Sequence, residues 1–248
     1  MIFSIITVTF NAEKVLERTI LSVLNQTYPQ IEYISIDGDS SDGTKGIIEQ
    51  YADAFACRIS EKDKSLYEAM SKGLRRATGD YVWFLNAGDL IRHSNVVAEM
   101  AAVARLNNLP DILYGETDWM DSDGKVFARR RLRAPRRLTW KSFRNGMLVS
   151  HQAFIARRAI APDFDLRYRF SGDFDWCIRC MKAARTIVNT RLRLVNYLYA
   201  GLTTANRRAS LRERYRIMCL HYGTLPTLVV HLWFAIRSLW TWLRGAKH

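Results

Sequence analysis

The stretch Tyr81-Val82-Trp83-Phe84-Leu85 is strongly apolar and runs straight into the polar turn Asn86-Ala87-Gly88-Asp89. A short apolar run that ends at polar residues is typical of a strand buried on both faces of a parallel sheet. Three earlier segments, residues 2–8, 33–36 and 54–60, are also strand-like, and helix-like segments separate them. Strands that alternate with helices predict an α/β fold with a doubly wound sheet.

The second half of the chain adds shorter strands and two helices. We predict a helix that ends near Leu106, a strand near 112–114, a hairpin-like turn at 121–124 and a short strand at 151–156. A helix over 173–184 and a strand-like segment over 186–199 follow, and the basic segment 129–137 is interpreted as a connection. With 248 residues the chain is long enough for one large α/β domain with an extension, but not for two full-sized domains.

Polar residues follow each of the first four predicted strands. They are Asn11 after the first strand, Asp37 after the second, Glu61 and Asp63 after the third, and Asp89 after the fourth. In doubly wound sheets, ligands bind beyond the carboxyl ends of the strands. We therefore expect these side chains to gather around one ligand site.

The turn from Asp37 to Thr44 reads D-G-D-S-S-D-G-T and precedes a predicted helix. Taken alone, such a turn is explained by helix capping. At the end of the second strand, however, an acidic side chain can also accept the N3–H of a uracil-like base. No glycine-rich Rossmann phosphate loop follows the first strand, which argues against a dinucleotide-dependent enzyme.

Two charged residues suit a ligand that carries phosphate. Lys72, near the end of the helix predicted over 65–77, could reach a phosphate, although a solvated lysine is the simpler interpretation. Asp89 stands where a divalent cation could bridge a carboxylate to a diphosphate, and such cations prefer oxygen ligands. Tyr67, Met70 and Leu74 share one face of the same helix and are interpreted as core residues.

The chain is strongly basic, because 37 lysines and arginines face 24 aspartates and glutamates and leave a net charge of +13. Such a surface attracts the phosphates of nucleic acids, anionic lipids or diphosphate-linked substrates. Arginines are concentrated between residues 129 and 137 and between residues 207 and 216. Because no basic and aromatic recognition motif accompanies them, nucleic acid is not expected as a partner.

Residues 225–243 are apolar and aromatic and end beside Arg244 and Lys247. A membrane span needs about 20 apolar residues, so this segment is at the lower limit. Tryptophan beside arginine favours a helix in the headgroup region of an anionic membrane, while a spanning helix and a helix packed on the core or on a dimer partner stay open. Since no secretory signal precedes the first strand, we expect a cytoplasmic protein, peripheral on the inner face of the membrane.

Five stretches follow one another in a distinctive order along the chain. They are SIITVTFN (Ser4–Asn11), IDGDSSDGT (Ile36–Thr44), SEKDKSLYEAMSKG (Ser60–Gly73), ATGDYVWFLNAGD (Ala77–Asp89) and SHQAF (Ser150–Phe154). Together they resemble family 2 inverting glycosyltransferases, and in particular the colanic-acid and exopolysaccharide biosynthesis type. Each stretch alone is weak, but the ordered set is highly specific and the resemblance covers residues 1–205.

The resemblance implies a GT-A fold with a Rossmann-like, doubly wound mixed sheet. A nucleotide-binding half, residues 1–110, would join an acceptor half, residues 111–205, and a basic and aromatic helical extension, residues 206–248, would follow. The family also implies a set of nucleotide-binding positions. These are Thr7, Asn11, Asp37 and Asp63 around the nucleoside, and Lys72 is added as a nucleotide-binding residue from its position on the helix.

In this family an acidic D-x-D element holds Mn²⁺ or Mg²⁺. The matching residues here are Asn86-Ala87-Gly88-Asp89, so two of the usual carboxylates are absent. The resemblance therefore implies a divalent cation with Asp89 as its candidate ligand, held by fewer carboxylates than usual. Asn86 is assigned by the same match to the acceptor or diphosphate site.

An inverting transfer needs a general base on the face opposite the departing diphosphate. The family supplies an acidic residue that opens a helix, and Ser171-Gly172-Asp173-Phe174 matches this pattern with Asp173 as the candidate base. A helix-capping carboxylate is the alternative. By the same resemblance, His151 and Thr203 are assigned to the acceptor or diphosphate site, with Thr203 in a loop that folds over the diphosphate.

These assignments predict transfer of a sugar from a nucleoside-diphosphate sugar, with uridine as the expected nucleoside, to a glycan or lipid-linked oligosaccharide. We expect the reaction to belong to bacterial exopolysaccharide or cell-surface polysaccharide synthesis, with an undecaprenyl-diphosphate-linked acceptor at the membrane. The alternative is a non-catalytic sugar-nucleotide-binding or scaffold protein of the same fold, which the depleted D-x-D element would suit.

Overall fold

The computed structural model describes residues 1–199 and 206–243 of the chain. Its strands are β1 (Phe3–Thr9), β2 (Ile31–Asp37), β3 (Cys57–Ser60), β4 (Tyr81–Phe84), β5 (Leu90–Ile91), β6 (Ile112–Met120), β7 (Val126–Arg129), β8 (Phe154–Arg157) and β9 (Ile187–Leu198). They form one mixed sheet in the order β3-β2-β1-β4-β8-β6-β9-β5, and β7 pairs with β6 beside this path. The predicted α/β class with a mixed sheet is confirmed.

The first four strands form the parallel part of the sheet. β1 lies between β2 and β4 and is parallel to both, and β2 is parallel to β3. Every residue of β1 and β4 is buried, as their continuous apolar runs predict. The helices of this half are α1 (Leu16–Leu24), α2 (Thr44–Gln50), α3 (Leu66–Arg76) and α4 (Val96–Leu106).

Helix α3 packs closely on the parallel strands. It begins at a serine cap, since Ser65 Oγ accepts the backbone N–H of Glu68 at 3.3 Å. The predicted core face of Tyr67, Met70 and Leu74 is buried. Gly73 permits the close approach to β1, because a Cβ at that position would lie 2.4 Å from Ile6 Cγ2.

The sheet changes direction at β8, which runs antiparallel to β4 and β6, whereas β9 is parallel to β6. Six strands therefore end at one side of the sheet, which we call the carboxyl edge. It is marked by Thr9, Asp37, Ser60, Phe84, Met120 and Leu198. Helix α5 (Gly172–Ala183) also begins at this edge, where Asp173 contacts His151 just before β8.

Two further helices, α6 (Arg207–Tyr222) and α7 (Thr224–Leu243), follow in the C-terminal part. α6 packs on α5, and α7 packs on α6. α7 leaves a row of apolar side chains exposed, which we call the apolar stripe. It consists of Leu225, Leu228, Val229, Leu232, Trp233 and Ile236. Among the helices of residues 1–199 and 206–243, none is both long enough and apolar enough to cross a bilayer.

The structure differs from the sequence prediction at short elements. The strand predicted over 54–60 is limited to β3, because Ala52–Ala54 form a 3-10 turn before it. β5 has only two residues and shows no periodicity, so the sequence does not predict it. Within the segment interpreted as a turn and a basic connection, β7 pairs with β6. The domain boundary predicted after residue 205 falls at residues 200–205, outside the described residues.

Candidate active site at the carboxyl edge

Asp37 ends β2, is fully buried and holds the turn that follows it. One carboxylate oxygen accepts the Ser40 hydroxyl. The other accepts the Ser40 backbone N–H at 3.0 Å and the Ser60 hydroxyl at 2.7 Å. Since both oxygens are occupied within the protein, Asp37 orders the turn and the end of β3 and does not present a free oxygen.

Asp63, after β3, presents a free carboxylate oxygen at this end of the carboxyl edge. Its side chain is only 6% exposed, and Oδ1 forms an ion pair with Lys72 Nζ at 2.7 Å. Oδ2 is buried beside Gly38 and has no hydrogen-bond partner in the described part of the chain. Burial raises the pKa of Asp63, and Lys72 acts in the opposite direction. A ligand with an N–H group would satisfy this oxygen.

Lys72 bridges two acidic residues and is not a freely solvated lysine. Its Nζ lies 2.6 Å from Glu61 Oε1 as well as 2.7 Å from Asp63 Oδ1. Burial alone would lower the pKa of Lys72, but these two carboxylates raise it above its usual value. Lys72 therefore keeps its positive charge at the carboxyl edge.

Thr7 and Asn11 support this region in different ways. Thr7 is fully buried, and its hydroxyl pairs with the Tyr33 hydroxyl at 3.1 Å beneath the edge. Asn11 lies in the loop after β1 with a positive φ of 48°. Its Oδ1 accepts the backbone N–H of Ser41 at 3.0 Å, which ties that loop to the turn after β2.

His151 connects the end of β4 to the start of α5. Its Nε2 lies 3.2 Å from Asn86 Nδ2, and its Nδ1 lies 3.1 Å from Asp173 Oδ2. An amide nitrogen can only donate, so Nε2 accepts and the proton on Nδ1 is donated to Asp173. The Tyr67 hydroxyl donates to Asp173 Oδ1 at 3.2 Å. Two side chains from separate elements thus hold the carboxylate of Asp173.

The environment of Asp173 keeps its carboxylate ionised. The side chain is 13% exposed, and burial alone would raise the pKa of Asp173. The interactions with His151 and the charge of Arg214 outweigh burial and lower this pKa. An ionised, partly accessible carboxylate is able to accept a proton at neutral pH.

Asp89 is buried behind the carboxyl edge and links the strands there. It is 4% exposed; its Oδ1 accepts the Leu198 backbone N–H at 3.1 Å and its Oδ2 accepts Gln152 Nε2 at 3.1 Å. Burial raises the pKa of Asp89 to about 6. The residue therefore connects the turn after β4 with the end of β9 and with the segment that holds His151.

The role of Asp89 as a metal ligand stays a prediction. Mg²⁺ and Mn²⁺ need a deprotonated carboxylate with an accessible oxygen. In this structure each oxygen of Asp89 accepts one N–H group, and burial raises the pKa of Asp89 to about 6. The described residues also contain no group of three His, Cys, Asp or Glu side chains that could hold a metal ion.

The structure brings most of the predicted residues together in two clusters. Asp37, Asn11, Asp63 and Lys72 lie around the ends of β1 to β3, whereas Asn86, His151 and Asp173 are in direct contact. Thr203 lies outside the described residues.

Sequence reasoning missed the hydroxyl of Tyr67, which it assigned to the core on apolar spacing alone. A signal was present, because a buried tyrosine hydroxyl usually finds a hydrogen-bond partner. Gly172 permits this contact, since a Cβ at Gly172 would lie 2.8 Å from the Tyr67 ring. Two residues of α6 near Asp173, Glu213 and Arg214, were also missed as site residues.

Comparisons with known proteins agree with this fold. The family model described as Glycosyl transferase family 2 matches residues 4–162. The PGL/p-HBAD biosynthesis glycosyltransferase of Mycobacterium tuberculosis is 31% identical over 188 residues, which cover 72% of this chain and 69% of the relative. The putative teichuronic acid biosynthesis glycosyltransferase TuaG of Bacillus subtilis is 38% identical over 89 residues, 35% of each chain.

Solved structures of S. aureus TarS share the fold. The structure of TarS 1–349 in complex with UDP-GlcNAc matches with a TM-score of 0.71 at 20% identity, covering 89% of this chain and 65% of that one. A longer TarS structure matches with a TM-score of 0.70 at 19% identity, and this chain spans only 39% of it. The structural likeness identifies the GT-A architecture, and the family match shows that this chain belongs to glycosyltransferase family 2.

Proposed function

We propose that this glycosyltransferase moves a sugar from a UDP-sugar to an acceptor hydroxyl with inversion, and that Asp173 is the general base. The observation that carries the proposal is the Asp173 carboxylate, which His151 and Tyr67 hold at the same edge of the sheet as Asp63 and Lys72. The first cluster, around Asp63 and Lys72 at the ends of β1 to β3, suits the donor nucleotide. The second cluster, Asn86, His151 and Asp173, suits the acceptor hydroxyl.

The nucleotide would bind at the ends of β1 to β3. There, the free Oδ2 of Asp63 suits the N3–H of uracil, and Lys72 supplies positive charge. Thr7, Asn11 and Asp37 would shape the pocket through the loops that they hold in place. TarS, a protein of the same fold, has been solved with UDP-GlcNAc bound, which supports a UDP-sugar as donor.

The transfer is proposed to be a single displacement. Asp173 takes the proton of the acceptor hydroxyl while the acceptor oxygen forms a bond to the anomeric carbon. The bond from that carbon to the diphosphate oxygen breaks on the opposite face, and UDP leaves with the electron pair. His151 donates from Nδ1 to Asp173 and thereby keeps the carboxylate oriented. Aligning the two substrates supplies much of the acceleration.

A divalent cation is not part of the proposed displacement. The resemblance to the family predicts Mn²⁺ or Mg²⁺, but both oxygens of the candidate ligand Asp89 are engaged by protein N–H groups. A cation requirement is therefore a separate question, which stability measurements with added Mn²⁺ can answer.

The acceptor is proposed to be a glycan or lipid-linked oligosaccharide at an anionic membrane, in cell-surface polysaccharide or exopolysaccharide synthesis. The apolar stripe of α7 and the exposed arginines of α6 support a position at the membrane surface. Relatives named for PGL/p-HBAD and teichuronic acid biosynthesis support a bacterial glycan or lipid-linked acceptor. The similarity to the colanic-acid type stays a prediction.

The substitution Asp173→Asn tests the proposed base. Asparagine has nearly the same shape but cannot take a proton, so we expect transfer to fall by a factor of about 10² to 10⁴. UDP binding should be unchanged, because Asp173 lies in the second cluster and makes no contact with Asp63 or Lys72. Transfer is measured with a panel of UDP-sugars and a bacterial lipid extract, and UDP binding by calorimetry.

Asp163→Asn is the matched control, because that carboxylate is 45% exposed and pairs with Arg75 at the surface. It should behave like the wild type. Wild-type rates for Asp173→Asn would refute the base assignment, and the proposed function itself fails if the wild type neither binds UDP nor uses any sugar nucleotide.

A further inference from the structure

Helix α6 is anchored directly beside the proposed base. The carboxylate of Glu213 accepts three successive backbone N–H groups, those of Arg169, Phe170 and Ser171, at 2.8 to 2.9 Å. The hydroxyls of Ser171 and Ser210 add a hydrogen bond of 2.8 Å. Because Ser171 immediately precedes α5, these contacts hold α6 against the start of α5.

Arg214, the next residue of α6, brings a guanidinium group to this place. Its Cζ lies 5.8 Å from the centre of the Phe174 ring. Its Nε is buried and has no hydrogen-bond partner among residues 1–199 and 206–243. The charge of Arg214 also helps to lower the pKa of Asp173, so the two groups lie within electrostatic reach of each other.

A second arginine, Arg130, differs from Arg214 because its guanidinium group is hydrogen-bonded to the backbone. Arg130 donates to the backbone carbonyls of Leu132, Met147 and Leu148 at 2.6 to 3.1 Å. Burial lowers the pKa of Arg130 to about 10, and the charge of Arg214 contributes in the same direction. Arg130 is thus a structural residue that adds positive potential, whereas the Nε of Arg214 has no partner in the described part of the chain.

The region between these arginines reaches the end of β9. Burial raises the pKa of the Tyr197 hydroxyl, and the charges of Arg130 and Arg214 oppose this effect. Asp89 acts on the same hydroxyl. The charges of Arg130 and Arg214 therefore act on the same part of the molecule, near the end of β9 and the start of α5.

A cation beside a general base has a cost for catalysis, because it reduces the affinity of the base for the proton it must take. An anionic group on the substrate would offset that charge. In a displacement with inversion, the diphosphate of the donor leaves on the face opposite the base. An anion beside Asp173 therefore belongs to the acceptor and not to the departing UDP.

We propose that Arg214 binds a phosphate group of the acceptor, with Glu213 holding α6 in the position that this requires. This inference rests on the proposed function of Asp173 as base. It specifies the acceptor as a phosphorylated saccharide whose phosphate lies close to the attacking hydroxyl, as in a sugar linked directly to phosphate or diphosphate. A guanidinium group suits phosphate because it donates two parallel N–H bonds.

The test uses the full chain, saturated with UDP, and methyl phosphate as the probe. Binding of methyl phosphate is followed by phosphorus NMR for the wild type, Arg214→Gln and Arg212→Gln. Loss of a hydrogen-bonded charge should weaken binding in Arg214→Gln by about tenfold or more. Arg212 is exposed on the same helix two positions away, so its side chain points elsewhere and binding should not change.

Three results would overturn the proposal: equal binding by Arg214→Gln and the wild type, equal losses in both variants, or no binding by the wild type. Methyl phosphate that binds in the absence of UDP and is displaced when UDP is added would assign the phosphate site to the donor and would also refute it. If the fold of Arg214→Gln proves disturbed, Arg214→Lys replaces it in the test. This variant retains the charge and should keep part of the affinity. Binding and turnover of UDP-sugars are measured separately, so failure of the proposed function can be distinguished from failure of the proposed phosphate site.

Discussion

Two carboxylates that follow consecutive strands of the chain, β3 and β4, have opposite environments. Asp63 leaves one buried oxygen without a partner in the described part of the chain, whereas Asp89 gives both oxygens to N–H donors. Burial raises the pKa of each. A free oxygen at the edge suits ligand binding, and a fully engaged one suits structural support. Both residues are aspartates that follow a strand, so only their hydrogen-bond partners distinguish the two roles.

Asp89→Asn should change how stability depends on pH. The pKa of Asp89 is raised in the folded protein, so the folded state holds this proton more tightly than the unfolded chain does. The contribution of this group is full below about pH 4 and is lost as the pH rises through about 6. Relative to Asp89→Asn, the wild type should lose about 2 kcal/mol of unfolding free energy between pH 4 and pH 7.

Urea unfolding of both proteins at pH 4, 5.5 and 7 measures this difference, in which the other titrating groups cancel. Identical pH profiles would contradict it. Repeating the series with Mn²⁺ tests the metal prediction: a ligand role for Asp89 requires Mn²⁺ to stabilise the wild type and not the variant, whereas we expect both to respond alike.

His151→Gln should alter the pH profile of transfer. His151 helps to lower the pKa of Asp173, so its replacement should raise that pKa. The acidic limb of kcat/KM should then move to higher pH, and each unit of displacement costs about tenfold in rate on that limb. His93→Gln, at an exposed histidine outside both clusters, is the control. An unmoved acidic limb would show that His151 does not act on the base.

For single residues, the sequence predicts which side chains lie in the site better than it predicts their hydrogen-bond partners. Asp173 and His151 were named separately, and their contact depends on how α5 packs against the segment before β8. Asp37 was expected to meet the base of the nucleotide, but Ser40 and Ser60 already engage both of its oxygens. Such pairings arise from tertiary structure and leave no spacing signal in the chain.

At the scale of elements, long apolar runs are predictable and short strands are not. β1 and β4 follow from continuous apolar sequence because both faces of these strands are buried. The two residues of β5 are ordered by antiparallel pairing with β9, a contact across more than 100 positions of sequence. β7 is mostly exposed, so burial leaves little apolar pattern in it.

Glu213→Gln should loosen the contact between α6 and α5. Three backbone N–H groups would face a neutral amide in place of a carboxylate, and we expect a loss of about 1 to 3 kcal/mol in unfolding free energy. Because the start of α5 carries Asp173, kcat should fall while the KM for the sugar nucleotide stays unchanged. Thermal or urea unfolding and steady-state kinetics provide these values.

Glu49→Gln serves as the control, since that side chain is 73% exposed and pairs with Arg58 at the surface. A Glu213→Gln variant with wild-type stability and kcat would show that the contact is not needed to place the base. A raised KM for the donor alone would point to a role in nucleotide binding instead.

At the scale of the whole molecule, charge and exposed apolar surface lie together in the C-terminal helices. Exposed arginines of α6, Arg207, Arg208, Arg212 and Arg216, accompany the apolar stripe of α7. Composition alone indicated a phosphate-binding surface but could not choose its partner. The structure adds that α6 also contacts the start of α5, so a surface suited to a membrane adjoins the proposed base.

Membrane binding should depend on the apolar stripe. Leu228 and Leu232 are 49% and 64% exposed and lie one turn apart, so both can enter the headgroup region together. Leu228→Ser combined with Leu232→Ser should weaken binding to phosphatidylglycerol vesicles by roughly tenfold or more per leucine. Deletion of residues 225–248 should release the protein, and added salt should weaken the wild type because anionic lipid attracts its arginines.

Leu106→Ser is the matched control, because Leu106 is 84% exposed at the end of α4 and lies outside the stripe. Vesicle sedimentation of the four proteins gives the partition coefficients. Equal partitioning of the double variant and the wild type would refute docking through the stripe. Binding that resists salt but is lost in the double variant would show that apolar contact acts without the arginines, and the acceptor phosphate would then be the remaining partner for the positive charge near Asp173.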